Sequence, residues 1–293
     1  MADLRAHRHR LPATAAAVTT AVALVFSLLP GMTAHATGVI GPLRAPGEPA
    51  FIAAHRGDRA SAPENTVAAF EAAVSGGSDF LEADVRRTAD GRAVVIHDAT
   101  VDRTTNGSGA VAALTLDEIR SLDAGSWYAP GFAGEPVPLF EEFLDVLVVA
   151  DVPALVELKG EWSADEVASI MDGIYFRGVQ NLIVFASFSP RTVTALRDAA
   201  PTIPRVLIRR VLPLDPVRVA KRYDAVALMT RASALQKSPD AVARMHDAGL
   251  GVLLYTLNSE QRWGEALAYG VDGIVTDKPS ALDAWIAQTA PGT

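Results

Sequence analysis

Two short strand-like runs in this chain each carry a pair of charged side chains two residues apart. In Phe80–Val85 the pair is Glu82 and Asp84, and around Ala154–Leu158 it is Glu157 and Lys159. Alternate residues of a strand share a face, so each run sets its polar groups side by side, with Leu81 and Val85 on the opposite face of the first. Two carboxylates on a buried face are costly unless a cation compensates them. One divalent ion held by Glu82, Asp84 and Glu157 would do so, and an all-oxygen set suits Ca2+ or Mg2+ alike. For Glu157 with Lys159 a plain salt bridge is an equal alternative. Histidines follow two further runs: His55 in His55-Arg56-Gly57 after Phe51–Ala54, and His97 in His97-Asp98 after Val94-Val95-Ile96. Alone, a histidine at a strand end is more often a hydrogen-bonded structural residue. Paired imidazoles, however, suit acid–base work near neutral pH, one accepting a proton while the other donates. Three carboxylates around one divalent ion leave a net negative charge that would repel an anionic substrate. Arg56 and Lys159 can reverse that sign locally as phosphate donors.

The elements that must position these groups alternate along the chain. Strand-like runs at Phe51–Ala54, Phe80–Val85, Ala154–Leu158, Leu182–Ala186, Arg205–Ile208, Ala225–Met229, Gly251–Leu257 and Gly273–Val275 are separated by Ala-rich stretches with helical spacing, as in Val67, Phe70, Val74 and Val193, Leu196. Alternation of this kind means parallel strands joined by crossover helices. Eight units in about 240 residues predict an α/β fold closed into a (β/α)8 TIM barrel, whose chemistry lies at the C-terminal ends of the strands. A doubly wound sheet would carry a Gly-rich nucleotide turn after its first strand, and no G-x-G-x-x-G follows Phe51–Ala54. Pro63-Glu64-Asn65-Thr66 opens the first helix, with Asn65 as its expected capping side chain. A small insertion over about residues 98–138, after the second-strand region, holds a short helix that starts at a Thr115/Glu118 capping box and a loop, Trp127-Tyr128-Ala129-Pro130-Gly131-Phe132. His246, beside Asp247 in a helix, is expected at the surface.

The first residues read as an address. Arg5, Arg8 and Arg10 precede an apolar stretch from Ala13 to Leu29, and Ala34-His35-Ala36 offers a small-x-small cleavage site, so residues 1–36 are expected to be a signal peptide cleaved near Ala36 from a secreted protein. The apolar stretch is short for a spanning helix and ends in Pro30-Gly31, so no stable membrane insertion is expected after its removal. Residues 37–50, rich in Gly and Pro, are expected to be a linker to a barrel over 51–290. The net charge is −8, and the first 36 residues hold three Arg and one Asp, so the remainder is more acidic still; nucleic acid is excluded as a partner on this ground. With no cysteine, thiol nucleophiles and cysteine-ligated zinc are excluded, and stability must come from a large core.

Taken together, His55-Arg56-Gly57, Pro63-Glu64-Asn65-Thr66, Glu82-x-Asp84-Val85, His97-Asp98, Arg103-Thr104, Glu157-x-Lys159 and Gly270-Val271-Asp272-Gly273-Ile274-Val275-Thr276-Asp277-Lys278-Pro279 resemble the glycerophosphodiester phosphodiesterase family over nearly the whole chain from Phe51. The resemblance implies Glu82, Asp84 and Glu157 as metal ligands, His55 and His97 as the catalytic pair, and Arg56 and Lys159 on the phosphate. It also implies hydrolysis of a small-molecule glycerophosphodiester to sn-glycerol 3-phosphate and an alcohol. Many members carry Trp where this chain has Tyr255. Trp162, Phe188, Tyr255 and Asn258 are the candidate pocket residues. A lysophospholipase D-like or sphingomyelinase D-like phosphodiesterase using the same site is the nearest alternative, which would need an apolar rim such as the Trp127–Phe132 loop; a non-catalytic binding barrel is a third reading.

Overall fold

The computed structural model describes residues 38–289. Its strands are β1 (Phe51–Ala54), β2 (Phe80–Arg87), β3 (Ala93–Val95), β4 (Ala154–Leu158), β5 (Ile183–Ser187), β6 (Arg205–Arg209), β7 (Ala227–Thr230), β8 (Gly251–Leu254) and β9 (Gly273–Thr276). Eight of them are parallel in the order β1-β9-β8-β7-β6-β5-β4-β2, and pairing of β1 with β2 closes the barrel. The helices are α1 (Val67–Ser75), α2 (Leu116–Arg120), α3 (Phe140–Ala150), α4 (Ala164–Arg177), α5 (Pro190–Ala199), α6 (Pro216–Arg222), α7 (Ala232–Leu235), α8 (Ala241–Asp247), α9 (Glu260–Tyr269) and α10 (Pro279–Thr289).

Alternation along β2 sorts its side chains between two layers. Leu81, Ala83 and Val85 pack outward with Phe70, Phe143, Leu144 and Leu147 of the surrounding helices, whereas Phe80 points into the barrel with Phe51, Leu155, Val184, Val206 and Leu253. The apolar filling occupies the lower and middle barrel, so the inward positions of β2 and β4 nearer the mouth are left to Glu82, Asp84 and Glu157. The ninth strand, β3, runs antiparallel to β2 and takes the upper part of the edge that β1 occupies lower down, with Val85 opposite Val95 and Ala53 opposite Phe80. This hairpin returns the chain to the mouth at His97. The insertion that follows has its own small core of Val94, Ile96, Val101, Val111, Ile119, Ala124 and Val137. Its helix α2 starts at the expected box, with Thr115 accepting from the Glu118 N–H.

Three expectations are corrected. Residues 38–50 are no free linker: Ile40 joins the interior cluster of Phe51 and Phe80, the Arg44 N–H donates to Asp272 Oδ1 at 2.9 Å, and the Gly47 N–H to the Leu267 carbonyl at 2.8 Å. Ile40, with Val39 and Leu43 packed beside it, and a few backbone donors suffice to dock it, and so few contacts leave no periodic pattern. His246 is not a surface bystander. Its Nε2 lies 3.0 Å from Asp272 Oδ2, which also accepts from the Val252 N–H at 2.7 Å, so a fully buried carboxylate is satisfied at the floor of the barrel. The cap of α1 is Thr66, whose hydroxyl accepts from the Ala69 N–H; Asn65 is turned elsewhere. The export signal expected over residues 1–36 and its cleavage site after Ala36 lie outside the described residues.

Candidate active site

The turn after β1 builds the first wall. Arg56 and Asn65 both adopt left-handed backbone, φ 59° and 58°, which costs a non-glycine residue of order 1 kcal/mol or more. Hydrogen bonds hold them there: the Asn65 N–H donates to the Arg56 carbonyl at 2.9 Å and the Arg56 N–H to Glu82 Oε2 at 2.8 Å. The Asn65 side chain donates to Asp84 Oδ2 at 3.0 Å and accepts from the Asp84 N–H at 3.2 Å. Gly57 is required between them, since its φ is 79° and a Cβ would meet the Ala69 backbone at 2.5 Å. The His-Arg-Gly turn is thus fastened to the two carboxylates of β2.

Register aligns Asp84 with Glu157 across β2 and β4, and carboxylate oxygens of Glu82, Asp84 and Glu157 lie within 4.8 Å of one another, all buried. Burial, then the neighbouring negative charges of Asp84 and Glu157, push the Glu82 carboxyl well up. Burial and Asp84 push Glu157 up to about 7. Burial acts on Asp84 in the same sense, but Lys159 and Arg56 outweigh it and hold that carboxyl below its ordinary range. Lys159 Nζ is 3.2 Å from Asp84 Oδ1 and 2.9 Å from Glu157 Oε1, and Arg56 Nε is 3.2 Å from Asp84 Oδ2. Three crowded carboxylates with two of them driven towards protonation are the donor set a hard divalent cation fits.

Each imidazole is oriented by a carboxylate. His55 Nδ1 is 2.6 Å from Asp277 Oδ1, and His97 Nδ1 is 2.6 Å from Asp98 Oδ1. Burial raises Asp277, but the hydrogen bond and charge of His55 bring it down to about 2; Arg103, bonded to Asp98 Oδ2 at 2.7 Å, holds Asp98 low as well. Ionised carboxylates only accept, so each Nδ1 carries the hydrogen and each Nε2 is left for substrate. Burial pushes both imidazoles below their ordinary value, against the raising effect of these partners. Glu64 ties the flanks together: Arg56 Nη1 reaches it at 2.7 Å, Arg59 at 2.8 Å and Arg103 at 2.7 Å, and these cations overcome its burial to bring it down to about 2.

His55, Arg56, Asp84, His97, Glu157 and Lys159 all line one cavity of about 390 Å3, with Phe188 and Tyr255 as further walls. Trp162 does not reach it. Gly160, at φ 81°, turns the chain away from the mouth, and Trp162 is buried among Leu158, Val167 and Ile170 with its Nε1 donating to the Lys159 carbonyl at 3.1 Å. Asn258 is a positioning group: its Nδ2 donates to Asp277 Oδ2 at 2.7 Å and its Oδ1 accepts from the Asp277 N–H at 2.9 Å, behind His55. Among the groups sequence reasoning missed, Asp277 lies within the terminal Gly270–Pro279 motif but 222 residues from its partner His55. Arg86, which also lines the cavity, continues on β2 the alternation of Glu82 and Asp84 and could have been found from that period, whereas Arg210 and Arg231 lie just past the ends of β6 and β7, where no period marks them. In the insertion, the Tyr128 hydroxyl donates to the Ala60 carbonyl at 2.6 Å and Trp127 is 41 % exposed beside it.

Asp277→Asn is expected to lower kcat by about 10–100-fold, the usual cost of losing such an orienting partner. Because Asp277 raises the His55 pKa, the substitution also moves the His55 limb of the pH profile to lower pH. A variant with wild-type kcat and pH profile removes Asp277 from this role.

Fold and site together define a (β/α)8-barrel enzyme with its charged centre at the C-terminal mouth. Residues 55–281 match the model of the glycerophosphoryl diester phosphodiesterase family, and the chain belongs to that family. It is 38% identical over 242 residues to the Bacillus subtilis protein YhdW, covering 79% of this chain and 96% of that one. It is 33% identical over 235 residues to the glycerophosphodiester phosphodiesterase of Caldanaerobacter subterraneus subsp. tengcongensis, covering 79% and 96%. Similar solved structures include an Oleispira antarctica phosphodiesterase in complex with the product sn-glycerol-3-phosphate, at 28% identity and TM-score 0.75 over 80% of this chain and 96% of that one. Another is the glycerophosphodiester phosphodiesterase of Agrobacterium tumefaciens, at 31% and 0.72 over 80% and 100%.

Proposed function

We propose that this protein hydrolyses glycerophosphodiesters to sn-glycerol 3-phosphate and an alcohol at one divalent cation held by Glu82, Asp84 and Glu157. The observation that carries the reading is two imidazoles, each oriented by an ionised carboxylate, lining the same cavity as the three crowded acids. When bound, Ca2+ or Mg2+ would neutralise charge on the phosphate and polarise it. Arg56 and Lys159 bind its oxygens. One of His55 and His97, neutral at Nε2, takes a proton from the attacking hydroxyl, that of water or of the glycerol carbon beside the ester, and the other, protonated at Nε2, gives its proton to the departing alkoxide; where glycerol attacks, water then opens the cyclic phosphate. Family membership and the product named in the Oleispira complex support the same substrate class. The test is release of sn-glycerol 3-phosphate from glycerophosphoglycerol by the purified protein; no release from any glycerophosphodiester rejects the reading. A lysolipid substrate is the second reading, supported by exposed Trp127 in the insertion.

Residues 1–36 act, in the same proposal, as an export signal removed after Ala36. Intact mass of the secreted form is expected to place its first residue at Thr37, and a secreted species that keeps Leu24–Leu29 contradicts it.

A further inference from the structure

The cavity holds more positive charge than one phosphodiester can use. Arg56 and Lys159 already face the acids, yet Arg210 and Arg231, at the ends of β6 and β7, line the same cavity. Among the described residues neither has a carboxylate within salt-bridge distance, in a chain whose net charge is −8. Phe188 explains where Arg210 is held: the guanidinium lies 4.8 Å from the ring centroid, while Lys159 Nζ approaches the same ring at 5.9 Å. The ring therefore contacts both the inner cation and the outer one. Its edge-to-face partner, 5.8 Å away, is Tyr255, whose hydroxyl is buried beside the Arg231 guanidinium and feels the charges of Arg231 and Arg210. Two guanidinium groups and a phenol thus converge outside the acidic centre. Beyond them the cavity adjoins a second one of about 610 Å3 that shares Arg231, Tyr255 and Thr256 and is edged by Arg262.

We infer that Arg210, Arg231 and Tyr255 form a subsite for a second anionic group on the substrate, a phosphate or a carboxylate, which makes the enzyme selective for glycerophosphodiesters with acidic alcohols. The subsite rests on the diester reading of the site, since glycerol is uncharged and a second anion must then belong to the alcohol half. Guanidinium groups without carboxylate partners are the donors that recognise such oxyanions. A choline-type alcohol is disfavoured twice, by repulsion from both arginines and because Phe188, the aromatic that would receive a quaternary ammonium, already carries Arg210 and Lys159.

The experiment compares kcat/KM for three diesters, glycerophosphoglycerol, its phosphorylated-alcohol counterpart and glycerophosphocholine, in wild type, Arg210→Gln, Arg231→Gln and the double variant. Wild type is expected to prefer the phosphorylated alcohol over glycerophosphoglycerol at least ~10-fold, mainly through KM, with glycerophosphocholine last and the preference shrinking as salt screens the charges. The double variant should lose at least ~10-fold more on the phosphorylated alcohol than on the neutral one. Both arginines are exposed, so the fold is expected to survive, and an unchanged thermal midpoint checks it. Equal rates for acidic and neutral alcohols in wild type, or a preference that persists in the double variant, overturns the subsite while leaving diester hydrolysis intact. No turnover of any of the three overturns the diester reading and the subsite with it. Val211 and Leu214, 73 % and 100 % exposed next to Arg210, name the rival occupant. Loss of sedimentation with phosphatidylglycerol vesicles in the double variant, with the substrate preference unchanged, would assign the arginines to a lipid surface and overturn the subsite.

Discussion

Replacing either His55 or His97 by Ala is expected to lower kcat on a glycerophosphodiester by at least ~100-fold, with the fold preserved. Neither ring is a core element: their side chains are 14% and 31% exposed at the cavity, and each makes one strong bond, through Nδ1 to its carboxylate. What the substitution removes is a proton acceptor or donor at Nε2. The pH profile separates this from a loss of packing. Burial pushes both imidazoles below their ordinary value of about 6.5, so the neutral form persists to lower pH and the acidic limb of kcat/KM falls below that value. Wild type should be bell-shaped, and each alanine variant should lose one limb. A profile that keeps both limbs in either variant, or a kcat within tenfold of wild type, takes that histidine out of the acid–base pair.

The pairing of charged residues on β2 and β4 was legible because a period of two is fixed by the strand backbone itself, and register then had little freedom once Leu81, Ala83 and Val85 had to face the helices. The (β/α)8 closure followed from alternation in the same way. The β2–β3 hairpin was legible only as a strand-like run before His97, since three residues are too few to show a period. The carboxylates that orient the imidazoles divide by distance along the chain. Asp98 neighbours His97, whereas Asp277 meets His55 only because closure sets β9 beside β1, with Thr276 opposite Ala54. Trp162 misled because a strand end does not say which way the next turn points; the left-handed Gly160 decides it, and the indole goes into the helix layer. Arg210 and Arg231 were silent for a related reason. An arginine just past a strand is indistinguishable in sequence from one on any solvated loop, and only the barrel shows that both ends open on one cavity.

Chelation is expected to abolish activity, and added Ca2+ or Mg2+ to restore it while raising the thermal midpoint more at pH 8 than at pH 5. The reasoning starts from Glu157, whose carboxyl is pushed up to about 7 by burial and then by Asp84. A folded pKa above the unfolded value of about 4.3 means a contribution to stability that is full below pH ~4.3 and lost as pH rises through 7. Glu82 is raised in the same direction by burial and by Asp84 and Glu157, so without a divalent ion the cluster becomes a liability towards neutral pH. A cation bound among the three carboxylates cancels their mutual repulsion, but at pH 5 it must first displace protons from Glu82 and Glu157. At pH 8 Glu157 has already lost its proton, so less of the binding free energy is spent on proton release and more of it appears as stabilisation. Glu82→Gln removes one ligand charge and is expected to weaken the cation-induced shift and cost at least ~100-fold in kcat/KM. Because the Arg56 N–H can still donate to the carbonyl oxygen of the introduced amide, the His55-Arg56-Gly57 turn should stay in place, as near-native circular dichroism would report. Full activity in excess chelator, or a midpoint that divalent ions leave unmoved at both pH values, is incompatible with a cation at this cluster.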